Sequence, residues 1–162
     1  MVRAKKHLGQ HFLKEPHVAE KIAKLISHSE VNNWLEIGPG MGILTKFLIK
    51  EAENVKCIEI DRESVSFLSE HYPNLEVILG DFLQLDLRQI WNEAYGVIGN
   101  FPYNISSQIV FQILANKDII PEFAGMFQLE VAQRIAAEPG NKTYGILSVL
   151  TQAFYDVKLE FK

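Results

Sequence analysis

Cysteine is almost missing from this chain. Cys57 is the only one in 162 residues, so no internal disulfide can form, and its place in an apolar run suits a small buried side chain. Long hydrophobic runs are missing too. Nothing approaches the ~20 consecutive apolar residues needed to cross a bilayer. The start of the chain, Met1-Val2-Arg3-Ala4-Lys5-Lys6-His7, leads into polar residues rather than the apolar stretch of a signal peptide. The expectation is a soluble, cytoplasmic, monomeric protein with no membrane partner and no metal. Internal repeats, low-complexity stretches and linkers are also absent, so no boundary is drawn inside residues 1–162. A surplus of positive charge is lacking as well: 16 Lys and Arg stand against 20 Asp and Glu, a formal net charge of −4. That balance is awkward for a nucleic-acid partner, because binding phosphates draws on clustered cations. Either Arg3, Lys5, Lys6 and Lys14 form a local basic cluster, or part of such a surface lies outside this chain.

What is present is enough for one core. Hydrophobic residues make up 48% of the chain and the mean hydropathy is +0.02, which suits one ordinary domain of this length. Short aliphatic and β-branched runs alternate with helix-patterned segments, the rhythm of an α/β fold: a doubly wound, mostly parallel sheet with helices on both faces, Rossmann-like in its arrangement. Strands are expected at 34–38, 55–61, 75–81, 95–100, 123–128 and 157–161. Helical faces are expected from Val18, Ile22, Leu25 and Ile26, from Ile43, Leu44, Phe47 and Leu48, and from Ile105, Ile109, Ile113 and Leu114. The last expected strand stops at the end of the chain with its edge uncovered, a liability for a sheet. On that ground the chain is expected to be a fragment truncated at its C-terminus.

Between the first expected strand and the helix after it runs Glu36-Ile37-Gly38-Pro39-Gly40-Met41-Gly42-Ile43. Its glycines allow close backbone approach to a ligand. The spacing is Gly-x-Gly-x-Gly, one residue short of the dinucleotide fingerprint Gly-x-Gly-x-x-Gly, which argues against a nicotinamide cofactor. Glu59 follows Gly38 by 21 residues, near the spacing at which an acidic side chain accepts hydrogen bonds from ribose hydroxyls. Asp61 competes for that role, although Asp61-Arg62-Glu63 also reads as a helix N-cap. Gly80-Asp81-Phe82 places another carboxylate at the third strand end, either as an acceptor for an adenine amino group beside the Phe82 wall or as an ordinary turn residue.

After the fourth expected strand comes Asn100-Phe101-Pro102-Tyr103-Asn104. The exocyclic nitrogen of adenine is a poor nucleophile because its lone pair is delocalised into the ring. Two acceptors for its protons would favour a more tetrahedral nitrogen with a directed lone pair. The Asn100 side-chain carbonyl can serve as one acceptor; Pro102, by biasing Phe101 away from helical torsions, can aim the Phe101 carbonyl as the other. Tyr103 offers an aromatic face for an extruded base. Outside this setting the same four residues would pass for a turn.

Taken with Leu8-Gly9-Gln10-His11-Phe12-Leu13 and Tyr144-Gly145-Ile146-Leu147-Ser148-Val149, these motifs make the chain resemble the rRNA adenine N6,N6-dimethyltransferases, most closely those acting on small-subunit rRNA. The resemblance implies a class I methyltransferase fold and S-adenosylmethionine (SAM) as cofactor. It implies that His11 and Leu13 contact the methionine end, that Gly38 and Gly40 line its path, and that Glu59 holds the ribose and Asp81 the adenine. Asn100 would stand between cofactor and target amine. The implied reaction is dimethylation of two adjacent adenines in a 3′-end hairpin, with small-subunit rRNA and the immature small ribosomal subunit as partners. Two departures stand out. Leu129 replaces a lysine common in the family, and the family's further strand and small helical C-terminal domain have no counterpart here. Cofactor binding without efficient rRNA dimethylation is therefore expected of residues 1–162 alone. Alternatives are the large-subunit enzymes linked to macrolide resistance, a DNA adenine methyltransferase, and a non-catalytic RNA-binding assembly factor on the same scaffold.

Overall fold

The structure, a computed structural model, describes residues 2–6 and 13–162. Five parallel strands form one sheet: β1 (Asn33–Ile37), β2 (Asn54–Glu59), β3 (Glu76–Leu79), β4 (Gly96–Asn100) and β5 (Phe123–Met126), in the order β3-β2-β1-β4-β5. Helix α1 (Pro16–Lys24) precedes β1, and α2 (Thr45–Glu51), α3 (Arg62–His71) and α4 (Ser106–Ala115) serve as crossovers. Two further helices, α5 (Leu129–Ala136) and α6 (Ile146–Phe154), follow β5.

Period-two alternation along β1 divides the core. Leu35 and Ile37 join Ile58, Val97 and the α4 residues Ile109 and Ile113 in one cluster. Trp34 points the other way, joining Ile22 and Ala23 of α1, Leu48 of α2 and Ile98 of β4. Because β1 is covered on both sides, all five of its residues are buried, as expected for the central strand of a parallel sheet. The faces are close-packed enough that β4 needs glycine at two places. A Cβ at Gly96 would meet the Trp34 ring at 2.5 Å, and one at Gly99 would meet the Ile37 carbonyl oxygen at 2.6 Å.

The strand expected at 157–161 does not form. Residues 155–162 are irregular, and β5 is the edge of the sheet. Alternating apolar residues are only half of what a strand requires; the other half is a neighbour offering backbone groups, and Val157 instead packs among Val110, Leu114 and Leu147. Of the expected helix faces, Val18 and Ile22 fall in α1, Phe47 and Leu48 in α2, and Ile109, Ile113 and Leu114 in α4, while Leu25, Ile26, Ile43, Leu44 and Ile105 lie in the adjoining turns. α5 and α6 were not among the expected elements. The buried side of α6 presents Leu147, Ser148 and Thr151, while Ile146, Val149, Leu150 and Phe154 lie exposed.

Candidate cofactor and target-base site

A cavity of about 190 Å³ opens at the carboxyl ends of β1, β2, β3 and β4. In open α/β sheets ligands bind at this edge, at the point where successive connections turn to opposite sides; the order β3-β2-β1-β4-β5 puts that point between β1 and β4.

The floor is the glycine turn. Gly38, Gly40 and Gly42 all have positive φ, at 66°, 57° and 78°, a conformation that L side chains rarely adopt. Their surroundings differ. A Cβ at Gly38 would meet nothing within 4 Å, whereas one at Gly42 would strike Tyr72 Cε2 at 2.8 Å. Gly38 lines the cavity, so its missing side chain leaves room for a ligand; Gly42 leaves room for α3 and the residue after it.

Glu59 enters from the end of β2, only 3% exposed. Its Oε2 accepts the Gly40 N–H and its Oε1 accepts the Asp61 N–H, each at 3.0 Å. Burial pushes its carboxyl above the ordinary value, against these two amide bonds and with the nearby Asp61 charge adding to the rise. The sequence assigned Gly40 to the cofactor path. It is not among the cavity-lining residues, and its visible task is to hold Glu59.

Asp61 caps α3, its Oδ2 accepting the Ser64 N–H and hydroxyl at 3.3 and 3.0 Å. Of the two roles weighed for Asp61, the capping one is therefore occupied, and Glu59 is the member of the pair that faces the cavity. Asp81 lines the cavity beside Phe82 and Leu83, and its Oδ1 also accepts the Leu83 N–H at 2.9 Å. Both readings of Asp81 are thus compatible: the turn bond holds the carboxylate at the wall.

On the β4 side, Asn100 and Pro102 line the cavity together with Asn104 and Ile105. Phe101 does not. It is buried in the core and packs against Phe127 in a tilted pair with centroids 4.6 Å apart, while its N–H donates to the Met126 carbonyl at 3.1 Å. Tyr103 is 39% exposed at the same corner. Leu13 reaches the cavity wall; His11 lies outside the described residues.

One residue went unnoticed in the sequence. Glu36, on β1, lines the cavity and is completely enclosed. Thr45 donates its hydroxyl to Glu36 Oε2 at 2.6 Å, and the Cys57 thiol, its register partner on β2, lies 3.6 Å from the same oxygen. Burial raises the Glu36 carboxyl to about 7 against those two bonds, with Glu59 contributing further repulsion. The only sequence signal was an acidic residue inside the otherwise apolar run Trp34-Leu35-Glu36-Ile37.

The sequence matches the family description "Ribosomal RNA adenine dimethylase" over residues 1–160. The chain belongs to this family. Relatives include the ribosomal RNA small subunit methyltransferase A of Flavobacterium johnsoniae, 56% identical over 99% of this chain and 62% of the relative, and that of Bacteroides thetaiotaomicron, 54% identical over 99% and 61%. The chain thus spans about three-fifths of the length of these relatives. Among solved structures, a dimethyladenosine transferase from Plasmodium falciparum superposes with a TM-score of 0.73 at 32% identity, covering 88% of this chain and 52% of that one. The 23S rRNA methyltransferase ErmE superposes with 0.67 at 30%, covering 80% and 53%. This adenine dimethylase family member accordingly has the Rossmann-like methyltransferase fold.

Proposed function

We propose that this chain forms the SAM-binding, catalytic part of an enzyme that dimethylates the N6 amine of two adjacent adenines in a 3′-end hairpin of small-subunit rRNA. The observation that carries the proposal is one cavity bounded by the open space at Gly38, the carboxylates of Glu59 and Asp81 and the side chain of Asn100.

The residues present suit SAM. Gly38 leaves backbone room, Glu59 is an anionic acceptor for ribose hydroxyls, and Asp81 beside Phe82 suits an adenine amino group and ring. Leu13 and, from the family resemblance, His11 would lie at the methionine end. Glu36 adds a third carboxyl group to the wall beside Glu59 and Asp81, which in its ionised form suits a ligand carrying positive charge. When bound, the cofactor supplies an electrophilic methyl group on a sulfonium.

The chain's own contribution is orientation. Asn100 accepts from the target amine, and Pro102 fixes the turn that aims the Phe101 carbonyl as the second acceptor; the amine then presents its lone pair, and the proton displaced by the methyl group leaves to solvent. Tyr103, exposed at this corner, stacks on the extruded adenine. Phe101 contributes by its main chain and by core packing rather than by its ring.

Grip on the rRNA and on the immature small subunit is assigned largely to the two-fifths of each relative that lies outside this match. The net charge of −4 supports that division. The small-subunit reading is favoured over the large-subunit one by the relatives above 50% identity against 30% for ErmE. Calorimetric titration with SAM and with NAD tests the cofactor assignment. Binding of SAM alone, weakened by Glu59→Ala, is expected; binding of NAD alone would overturn it.

A further inference from the structure

A local basic cluster of Arg3, Lys5, Lys6 and Lys14 was one of two alternatives left open by the charge balance, and Lys5 is engaged with two acidic residues. Its Nζ lies 2.5 Å from Asp61 Oδ1 and 3.4 Å from Glu63 Oε1. Asp61 is 4% exposed, so this pair is much less open to solvent than a surface ion pair, most of which contribute little. From Asp61 the contacts continue inward. The Asp61 N–H donates to Glu59 Oε1, and Glu59 Oε2 takes the Gly40 N–H. Eight residues beyond Lys5 in sequence, Leu13 forms part of the wall of the same cavity.

We propose that Lys5 is a positioning residue for the cofactor site, tying residues 2–6 to the β2–α3 corner and holding Asp61 so that Glu59 presents an ionised, correctly oriented carboxylate to the ribose. This rests on the reading of the cavity as a SAM site.

Two physical effects support the assignment. Asp61 and Glu59 are buried anions two residues apart, and an unneutralised Asp61 disfavours ionisation of its neighbour; Lys5 supplies the opposing charge. Asp61 also donates the amide that fixes one Glu59 oxygen, so a shift of Asp61 is passed to the carboxylate that meets the ligand. Ser64 and Lys5 hold the Asp61 side chain from two sides. Phosphate binding by Lys5 would require giving up this contact.

The test uses this chain, SAM, and an analogue of SAM lacking the ribose 2′-hydroxyl. Lys5→Met keeps the aliphatic stem and removes the charge; Lys5→Arg restores the charge. Lys5→Met is expected to weaken SAM binding roughly fivefold to twentyfold, the range of a charge-assisted hydrogen bond, and to lower the thermal midpoint of the ligand-free protein as Asp61 loses its counter-charge, so that the ribose-dependent readout separates positioning from stability. Lys5→Arg recovers most of the loss. The 2′-deoxy analogue binds wild type and Lys5→Met within about twofold of each other, because the effect runs through the ribose contact. In a double-mutant cycle, Asp61→Asn adds little to Lys5→Met. Wild-type affinity in Lys5→Met overturns the proposal while leaving the cofactor site intact, and so does equal weakening toward SAM and its analogue. If the wild-type chain binds no SAM, the cavity reading itself fails and the tether falls with it.

Discussion

Glu59 and Gly40, 19 residues apart, meet through one hydrogen bond of 3.0 Å from the Gly40 amide to the Glu59 carboxylate. The glycine turn and the end of β2 are thereby a single unit: the turn's backbone orients the acid that the cavity presents. Replacing Glu59 by Ala removes both the proposed ribose acceptor and the partner of two amides. SAM affinity is expected to fall by about tenfold to a hundredfold, in line with roughly 1.5–3 kcal/mol for hydrogen bonds to a charged group. Glu59→Gln, which keeps one acceptor oxygen, should lose less. Calorimetry on the three proteins checks the order.

The glycines of the turn separate ligand room from packing room. Gly38→Ala faces an unfavourable φ but meets no atom within 4 Å, so the expected cost to folding is about 1–2 kcal/mol, with SAM affinity reduced as the methyl group enters the cavity. Gly42→Ala carries the same backbone cost and a 2.8 Å encounter with Tyr72, and should lose at least twice as much stability. Chemical denaturation with and without SAM distinguishes them: ligand-induced stabilisation is diminished most, relative to its stability loss, in Gly38→Ala.

Glu36 gives stability a definite pH dependence. Its folded carboxyl stands near 7 against an ordinary 4.5, so the folded state holds a proton that the unfolded chain releases. The associated stability is complete below about pH 4.5 and is lost as pH rises through 7. Glu36→Gln should therefore be the more stable protein at pH 8, by about 2–3 kcal/mol, with the difference shrinking toward pH 4.5. Asp61 works in the opposite sense: burial pushes its carboxyl up, but Lys5 and Ser64 outweigh that and hold it below 3.8. Its contribution is present above that value and is lost on acidification. Unfolding curves across pH 2–8 test both signs.

Phe101 and Tyr103 should respond to truncation in different ways. Phe101, packed on Phe127, is expected to lose about 3–5 kcal/mol of stability as Ala. Tyr103→Ala should leave the thermal midpoint nearly unchanged and lower methyl transfer at least tenfold in a longer protein that carries the remaining two-fifths of its relatives. A large stability loss in Tyr103→Ala would assign its ring to the fold instead of the target base.

The five strands were legible because each couples an aliphatic run to a loop signal, and the glycine turn, Glu59, Asp81 and Asn100 because residue types and spacing coincide at strand ends. The C-terminal third was less legible. Along α6, Ile146, Val149, Leu150 and Phe154 are apolar yet exposed, which blurs the amphipathic signal on which helix assignment depends. Residues 157–161 alternate like a strand, but pairing is a property of two segments, and only one is visible in a local pattern. The Lys5 contact was invisible for a related reason: its partner Asp61 is 56 residues away, and no local pattern links them. The Gly40 bond to Glu59 was not legible because a glycine that frees space and one that donates an amide look alike in sequence.

The close fit between Trp34 and Gly96 also equips the protein with an optical reporter. Trp34 is fully enclosed against β4, its indole N–H donating to the Val31 carbonyl at 3.0 Å, whereas the other tryptophan, Trp91, lies half-buried with Lys56 Nζ 4.8 Å above its ring. Neither lines the cavity at the carboxyl edge. Intrinsic fluorescence should thus combine a blue-shifted emitter shielded from acrylamide with a redder, quenchable one, and the shielded component should vanish on unfolding yet stay nearly constant when ligand fills the site.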